Sequence, residues 1–133
     1  MNIEQQELAK VAIDFYIDLI RKPKYGDKEN GLEGFTSLIA THTKLSTRKN
    51  VSEDQIKRFE ESLQESIDSQ INNGFKTITI ESDWFPEGIL EQACIDSEIN
   101  PQFPSMFGVT IDLRDMEVRK GYFGKASEII FKK

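Results

Sequence analysis

The chain has 133 residues, of which 38% are hydrophobic and 30% charged, with a formal net charge of −6. That length and balance predict one globular domain over residues 1–133, too apolar for a disordered chain and too short for two cores. The negative charge disfavours non-specific attraction to phosphate backbones or anionic lipid, and no apolar run approaches the roughly 18 residues of a membrane span.

Leu8, Val11, Ala12, Phe15 and Leu19 recur at helical spacing, with Glu4, Glu7, Lys10, Asp14 and Asp18 mostly off the stripe. They predict a first helix from about residue 3 to 21. Ile13, Ile17 and Ile20 widen its apolar surface, so it should pack on two sides or cover a broad sheet face; Pro23 stops it. Residues 22–31 collect turn formers and charges and read as an exposed loop. Leu32, Phe35, Leu38 and Ile39 then predict a short second helix, which Gly34 weakens, and residues 45–50 a polar, basic connector.

The third helix carries the clearest signal. Ser52 and Gln55 form a capping-box pair, and Ile56, Phe59, Leu63, Ile67 and Ile71 follow on one face. Glu53 and Asp54 stand in the first turn, where the helix dipole favours anions, and Gly74 supplies a left-handed stop. From Phe75 to Ile80 the pattern alternates and is β-branched, which predicts a strand. Residues 82–86 turn the chain, with Asp83 as cap and Pro86 at an early helical position. Ile89, Leu90, Ala93 and Cys94 mark a short fourth helix, ended by Asn100, Pro101 and Pro104.

The remainder reads as a meander. Phe107, Val109, Ile111 and Leu113 alternate, Arg114 and Asp115 turn, Met116 and Val118 alternate again, and a last strand runs from Ala126 to Phe131 after Gly121-Tyr122-Phe123-Gly124. The order predicts an α+β fold: three N-terminal helices, then β-α-β-β-β, with an antiparallel sheet of about four strands and helices packed on one face. The expected core is Val11, Phe15, Leu19, Phe59, Leu63, Ile67, Ile78, Ile80, Val109 and Ile111.

Most enzyme signatures fail. No glycine-rich loop joins a strand to a helix, so no phosphate or dinucleotide cofactor is expected. His42 is the only histidine and Cys94 the only cysteine, which cannot build a zinc set, and Cys94 shares an apolar stripe with Leu90, predicting a structural thiol with a raised pKa. Asp83, Glu87 and Glu91 are spaced to align on one helical side, yet lack the dense oxygen ligands and glycine bend of a calcium loop, so no metal is expected either. With 23 acids, any single carboxylate pair is uninformative about hydrolysis. The lone cysteine and the absence of a basic-then-apolar pattern in Met1 to Glu7 suggest a reducing, cytoplasmic setting.

What stands out is charge segregation. Residues 81–98 hold six acids (Glu81, Asp83, Glu87, Glu91, Asp96, Glu98) and no Lys or Arg, whereas residues 21–50 hold seven bases against three acids. Beside the acids stand Trp84, Phe85 and Pro86. The plain explanation is a solvated face with acids near a helix start and an aromatic plugging the core, one ring in and the other partly out. The functional explanation is a partner-binding surface formed by Asp83, Trp84, Glu87 and Glu91.

Ile89-Leu90-Glu91-Gln92-Ala93-Cys94, then Phe103-Pro104, a strand through Ile111, Val118 and Gly121-Tyr122 together resemble a pattern in small uncharacterised proteins of phages and prophages. The resemblance covers residues 75–125, and Ser105-Met106 stands where those sequences carry an aromatic and a basic residue. It implies a mobile-element accessory protein and transfers no activity or residues. The leading expectation is a non-enzymatic inhibitor or regulator that binds a basic protein surface, its acidic face imitating nucleic acid, without itself binding nucleic acid or membrane. The alternative is a small enzyme or ligand-binding domain with a carboxylate-lined site between the fourth helix and the sheet. Should the acidic face prove merely solvated, the basic loop from Arg21 to Lys28 becomes the next surface to consider.

Overall fold

The fold is defined by a computed structural model that describes residues 2–21, 51–100 and 103–133. The expected second helix, most of the basic loop, the connector and His42 lie outside the described residues. Among those described, the chain forms three helices and four strands.

Helix α1 (Ile3–Arg21) buries Leu8, Ala9, Ala12, Ile13, Tyr16, Ile17, Leu19 and Ile20. Of the stripe read from the sequence, Leu8, Ala12 and Leu19 are buried, whereas Val11 and Phe15 are only half-buried and the isoleucines beside them sit deeper. The reason is two-sided packing. α1 contacts strands β2 (Phe107–Asp112) and β3 (Glu117–Tyr122) as well as helix α2 (Glu53–Asn72), so no single 3.6-residue stripe describes it.

Helix α2 forms as its sequence dictates. Gln55 N–H donates to Ser52 Oγ at 3.1 Å and Ser52 N–H to Gln55 Oε1 at 2.9 Å, closing the capping box. Ile56, Phe59, Leu63 and Ile67 are buried along one face. Gly74, at φ 90°, ends the helix in the left-handed region. Phe75 N–H still donates to the Gln70 carbonyl, so the helix-ending turn consumes this residue, and strand β1 (Thr77–Ser82) starts two residues after the alternation begins.

The four strands form one antiparallel sheet in the order β1-β2-β3-β4, with β4 spanning Glu128–Lys132. Ile78 opposes Ile111, Ile80 opposes Val109 and Ile111 opposes Val118, so these fully buried residues line one face of the sheet. The last strand begins after the expected Ala126 because the turn at Gly124 brings Ser127 back over β3. A Cβ on Gly121 would lie 3.1 Å from Ser127 Cα, which only glycine permits without a shift.

Helix α3 (Gly88–Ser97) packs on α2 and β1 and is fastened to α2 by polar bonds. Ser62 Oγ donates to Asp96 Oδ2 at 2.7 Å, and Gln55 Nε2 donates to the carbonyls of Ser97 and Glu98 at 3.3 and 3.1 Å. Gln55 thus serves the start of one helix and the end of another. Across the core, the Tyr16 hydroxyl donates to the Ile80 carbonyl at 2.7 Å, and burial, aided by the charge of Glu81, raises its pKa. Tyr16→Phe should therefore lower stability by about 1–2 kcal/mol in a denaturant titration. An unmoved midpoint would mean that this bond adds nothing to the packing of its ring. Among the described residues, no helix is long and apolar enough to cross a membrane.

Candidate functional site

β1 ends in a loop that folds back on the strand. Ser82 pairs with Pro86 in an isolated bridge, Asp83 N–H donates to the Phe85 carbonyl at 3.1 Å, and Glu87 N–H reaches the Glu81 carbonyl at 3.1 Å. Ser82 Oγ donates to the Pro104 carbonyl at 2.7 Å and Met106 N–H to the Asp83 carbonyl at 2.9 Å, tying the loop to the segment entering β2. Residues 84 and 85 form its tip.

Both aromatics of that tip face solvent, Trp84 at 77% and Phe85 at 75% exposure. This corrects the expectation that one of them plugs the core. Pro86 is the buried residue of the loop, and Phe103 and Phe107 are buried nearby in sequence on the far side of the Asp83–Met106 bond, so the core contains other rings.

The flanking acids are arranged differently from the helical line suggested by their spacing. α3 starts after Glu87, which is its N-cap but makes no side-chain capping bond, and Pro86 stands outside the helix. Asp83 caps nothing there; it is half-buried in the loop, with Oδ1 shielded and unpartnered. Only Glu87 and Glu91 lie one turn apart, both exposed. Asp83, Glu87 and Glu91 do not converge on a common point within metal-binding reach. The trio of carboxylates that does approach, within 4.8 Å among the described residues, is Asp112, Asp115 and Glu117 at the other end of the sheet. Their hydrogen-bonding capacity serves the fold. Asp112 Oδ1 accepts from the backbone N–H groups of Arg114 and Asp115 at 2.9 and 3.1 Å, and buried Glu117 accepts from Arg119 Nε at 2.7 Å.

Three residues that sequence reasoning left out of the site follow the loop at the same end of the sheet. Phe123 N–H donates to the Met106 carbonyl at 2.8 Å, so residues 83, 106 and 123 form a row of bonded backbones beyond the last strand pairs. Met106, Tyr122 and Phe123 are all exposed there, and Tyr122 packs edge-on to Phe107 at 5.1 Å. The aromatic turn at 121–124 was visible in the sequence. Its place in the row with Asp83 depends on the pairing of Ser82 with Phe107 and of Phe107 with Tyr122, which no local pattern encodes.

On the α3 side of the tip lies an open groove of about 510 Å³, lined by Phe85, Pro86, Glu91, Cys94, Ile95, Glu98, Ile99 and Asn100. Ile95 is 62% exposed along it. The opposite side of α3 is solidly packed: Leu90 and Ala93, like Ile78 and Ile80 of β1, are fully buried, while Glu91, Asp96 and Glu98 lie on the exposed side. Among the described residues, the carboxylates of Glu91 and Glu98 border this outer groove.

Burial, reinforced by the negative charge of Glu91, pushes the Cys94 thiol up to about 12 from its ordinary 9.0. The thiol is therefore held protonated at neutral pH and is a poor nucleophile. Two results are expected. Thiol reagents should modify Cys94 far more slowly in the native protein than in the unfolded chain. Stability should also fall as pH rises from 9.0 towards 12, because the unfolded thiol loses its proton before the folded one does. Cys94→Ala should flatten that alkaline limb, and an unchanged limb in the variant would assign it to other groups, Tyr16 foremost. No family model, no curated protein and no solved structure matches the chain, so the functional reading rests on this geometry.

Proposed function

We propose that the protein is a non-enzymatic regulator or inhibitor that acts by binding another protein, with Trp84 and Phe85 as anchors and Asp83, Glu87 and Glu91 as a charged flank. The observation that carries this reading is the pair of neighbouring aromatics, 77% and 75% exposed, on a loop fastened through backbone bonds on both sides. Each such ring offers about 150–250 Å² for burial, and a loop already held in place loses little freedom when it docks. The exposed tip thus combines a hydrophobic driving force with a prepaid conformation.

The acids supply the other half. Residues 81–98 carry six acids without a Lys or Arg, which sets up a local negative field beside the aromatics. A field of that sign repels nucleic acid and anionic lipid and steers a basic protein surface, such as one that otherwise holds a phosphate backbone, into contact. This division of labour is tested by capturing the partner from source cells with the full chain and measuring binding kinetics over a salt series. Reversing Glu87 and Glu91 to Lys should slow association by about tenfold at low salt and flatten its salt dependence. Association unchanged at every salt concentration would reduce the acidic flank to a solvated surface.

A further inference from the structure

We infer that the groove beside α3 seats a cationic peptide segment of the partner, one that presents a large apolar side chain between basic residues. The inference rests on the partner-binding reading and extends it to a second subsite, which shares Phe85 and Glu91 with the first and is distinguished from it by Ile95 and Glu98. The groove has an apolar lining from Phe85, Pro86, Ile95 and Ile99 and a charged margin from Glu91 and Glu98. Its volume of about 510 Å³ falls in the ordinary range for a ligand cleft and admits a bulky side chain with its neighbours.

The charge of the occupant follows from the end of α3. Helices favour cations in their last turn, where the aligned peptide dipoles leave a partial negative charge, and the Gln55 amide that bonds the end of α3 is neutral. α3 has no basic residue in its last turn and carries Glu98 as its C-cap in the left-handed conformation, at φ 59°. The helix pole and Glu98 therefore add with the same sign at one end of the groove, while Glu91, in the first turn of α3, supplies a second negative charge at the other. Glu91 and Glu98 form no ion pair among the described residues. Two cations supplied by the partner complement the two ends, while Ile95 between them, 62% exposed, provides the apolar contact that a simple counterion cannot use. An acidic segment, a nucleic acid or an anionic membrane would meet repulsion at the same place.

The test titrates the 15N-labelled full chain with three synthetic hexapeptides: Lys-Arg-Leu-Phe-Arg-Lys, its Lys-Arg-Ala-Ala-Arg-Lys counterpart, and Glu-Glu-Leu-Phe-Glu-Glu. The inference expects the first alone to shift the amides of Glu91, Ile95, Glu98 and Ile99 in a saturable way. Ile95→Ser and Glu98→Lys, neither of which alters the tip or its charged flank, should each weaken that binding about tenfold, with the amide spectrum otherwise native. Shifts centred elsewhere, or an equal response to the alanine counterpart, would overturn it, the latter showing charge attraction without the apolar seat.

The same variants, set beside Trp84→Ala against the captured partner, separate the two readings. Loss of partner binding in Trp84→Ala with none in the groove variants would sink the groove and leave the anchor standing. Loss in the groove variants alone would support the groove and remove the anchor. No loss in any variant would sink both, and loss in both sets is the result expected.

Discussion

Replacing Phe59 with alanine should lower the unfolding free energy by about 3–5 kcal/mol, a large part of the roughly 5–15 kcal/mol that holds a domain of this size together. Phe59 is fully buried on α2, with Leu63 and Ile67 on the same helix. Its ring meets Phe103 at 6.1 Å, and Phe103 in turn meets Tyr16 at 5.2 Å, so three segments of chain converge on one aromatic cluster. Removing the ring leaves a cavity that helices fastened at Ser62 and Gln55 cannot readily close. Urea titration of the variant beside exposed Ile95→Ala, which should change stability by only about 0.5 kcal/mol, checks this. A midpoint for Phe59→Ala as little moved as that of the control would show that α2 does not pack as described.

Trp84→Ala should leave the fold intact and speed dissociation of the partner by at least about thirtyfold, the equivalent of a 2 kcal/mol hot spot. The two effects separate because Trp84 is 77% exposed, so little native packing is lost with its side chain. Charge acts on the encounter and aromatic area on residence, so association should change far less than dissociation. Phe85→Ala, at 75% exposure on the same tip, should act in the same direction. Wild-type dissociation in both variants would place the partner's footprint elsewhere.

The contrast between these two substitutions parallels what the sequence disclosed. α2 was legible because its signals are local: Ser52 and Gln55 cap each other three residues apart, its apolar residues keep one phase, and Gly74 marks its end. The meander was legible for the same reason, since each strand carries its own alternation and the strands pair in chain order. α1 was legible as a helix with a broad apolar surface, but not in which of its residues lie deepest. Val11 and Phe15 look as apolar as Ile13 and Ile17, and only the position of α2 and the sheet on two sides decides which are deeper.

At the site, the acids and Trp84 were visible as composition, but their arrangement was not. The tight return of Ser82 to Pro86 moves the helix start to Gly88, which takes Asp83 off the line of Glu87 and Glu91 and turns both aromatics outward. Met106 and Phe123 join the base of the loop through the Asp83–Met106–Phe123 backbone row, a product of strand register. The first is a local return and the second a long-range consequence of pairing, and neither leaves a trace in residue spacing.

Trp84 is the only tryptophan in the chain, which makes the central claim directly measurable. The protein can be produced with 5-fluorotryptophan, giving a single 19F resonance, and its accessibility followed with a soluble paramagnetic quencher before and after the captured partner is added. The account predicts strong relaxation by the quencher in the free protein, then a shifted resonance protected from it in the complex, with protection lost when excess unlabelled chain displaces the labelled one. A resonance that stays unshifted and fully accessible while the partner is bound would contradict it. The partner would then sit on another surface, such as the acidic groove of about 560 Å³ between α1 and α2 bordered by Asp14, Glu61 and Glu65.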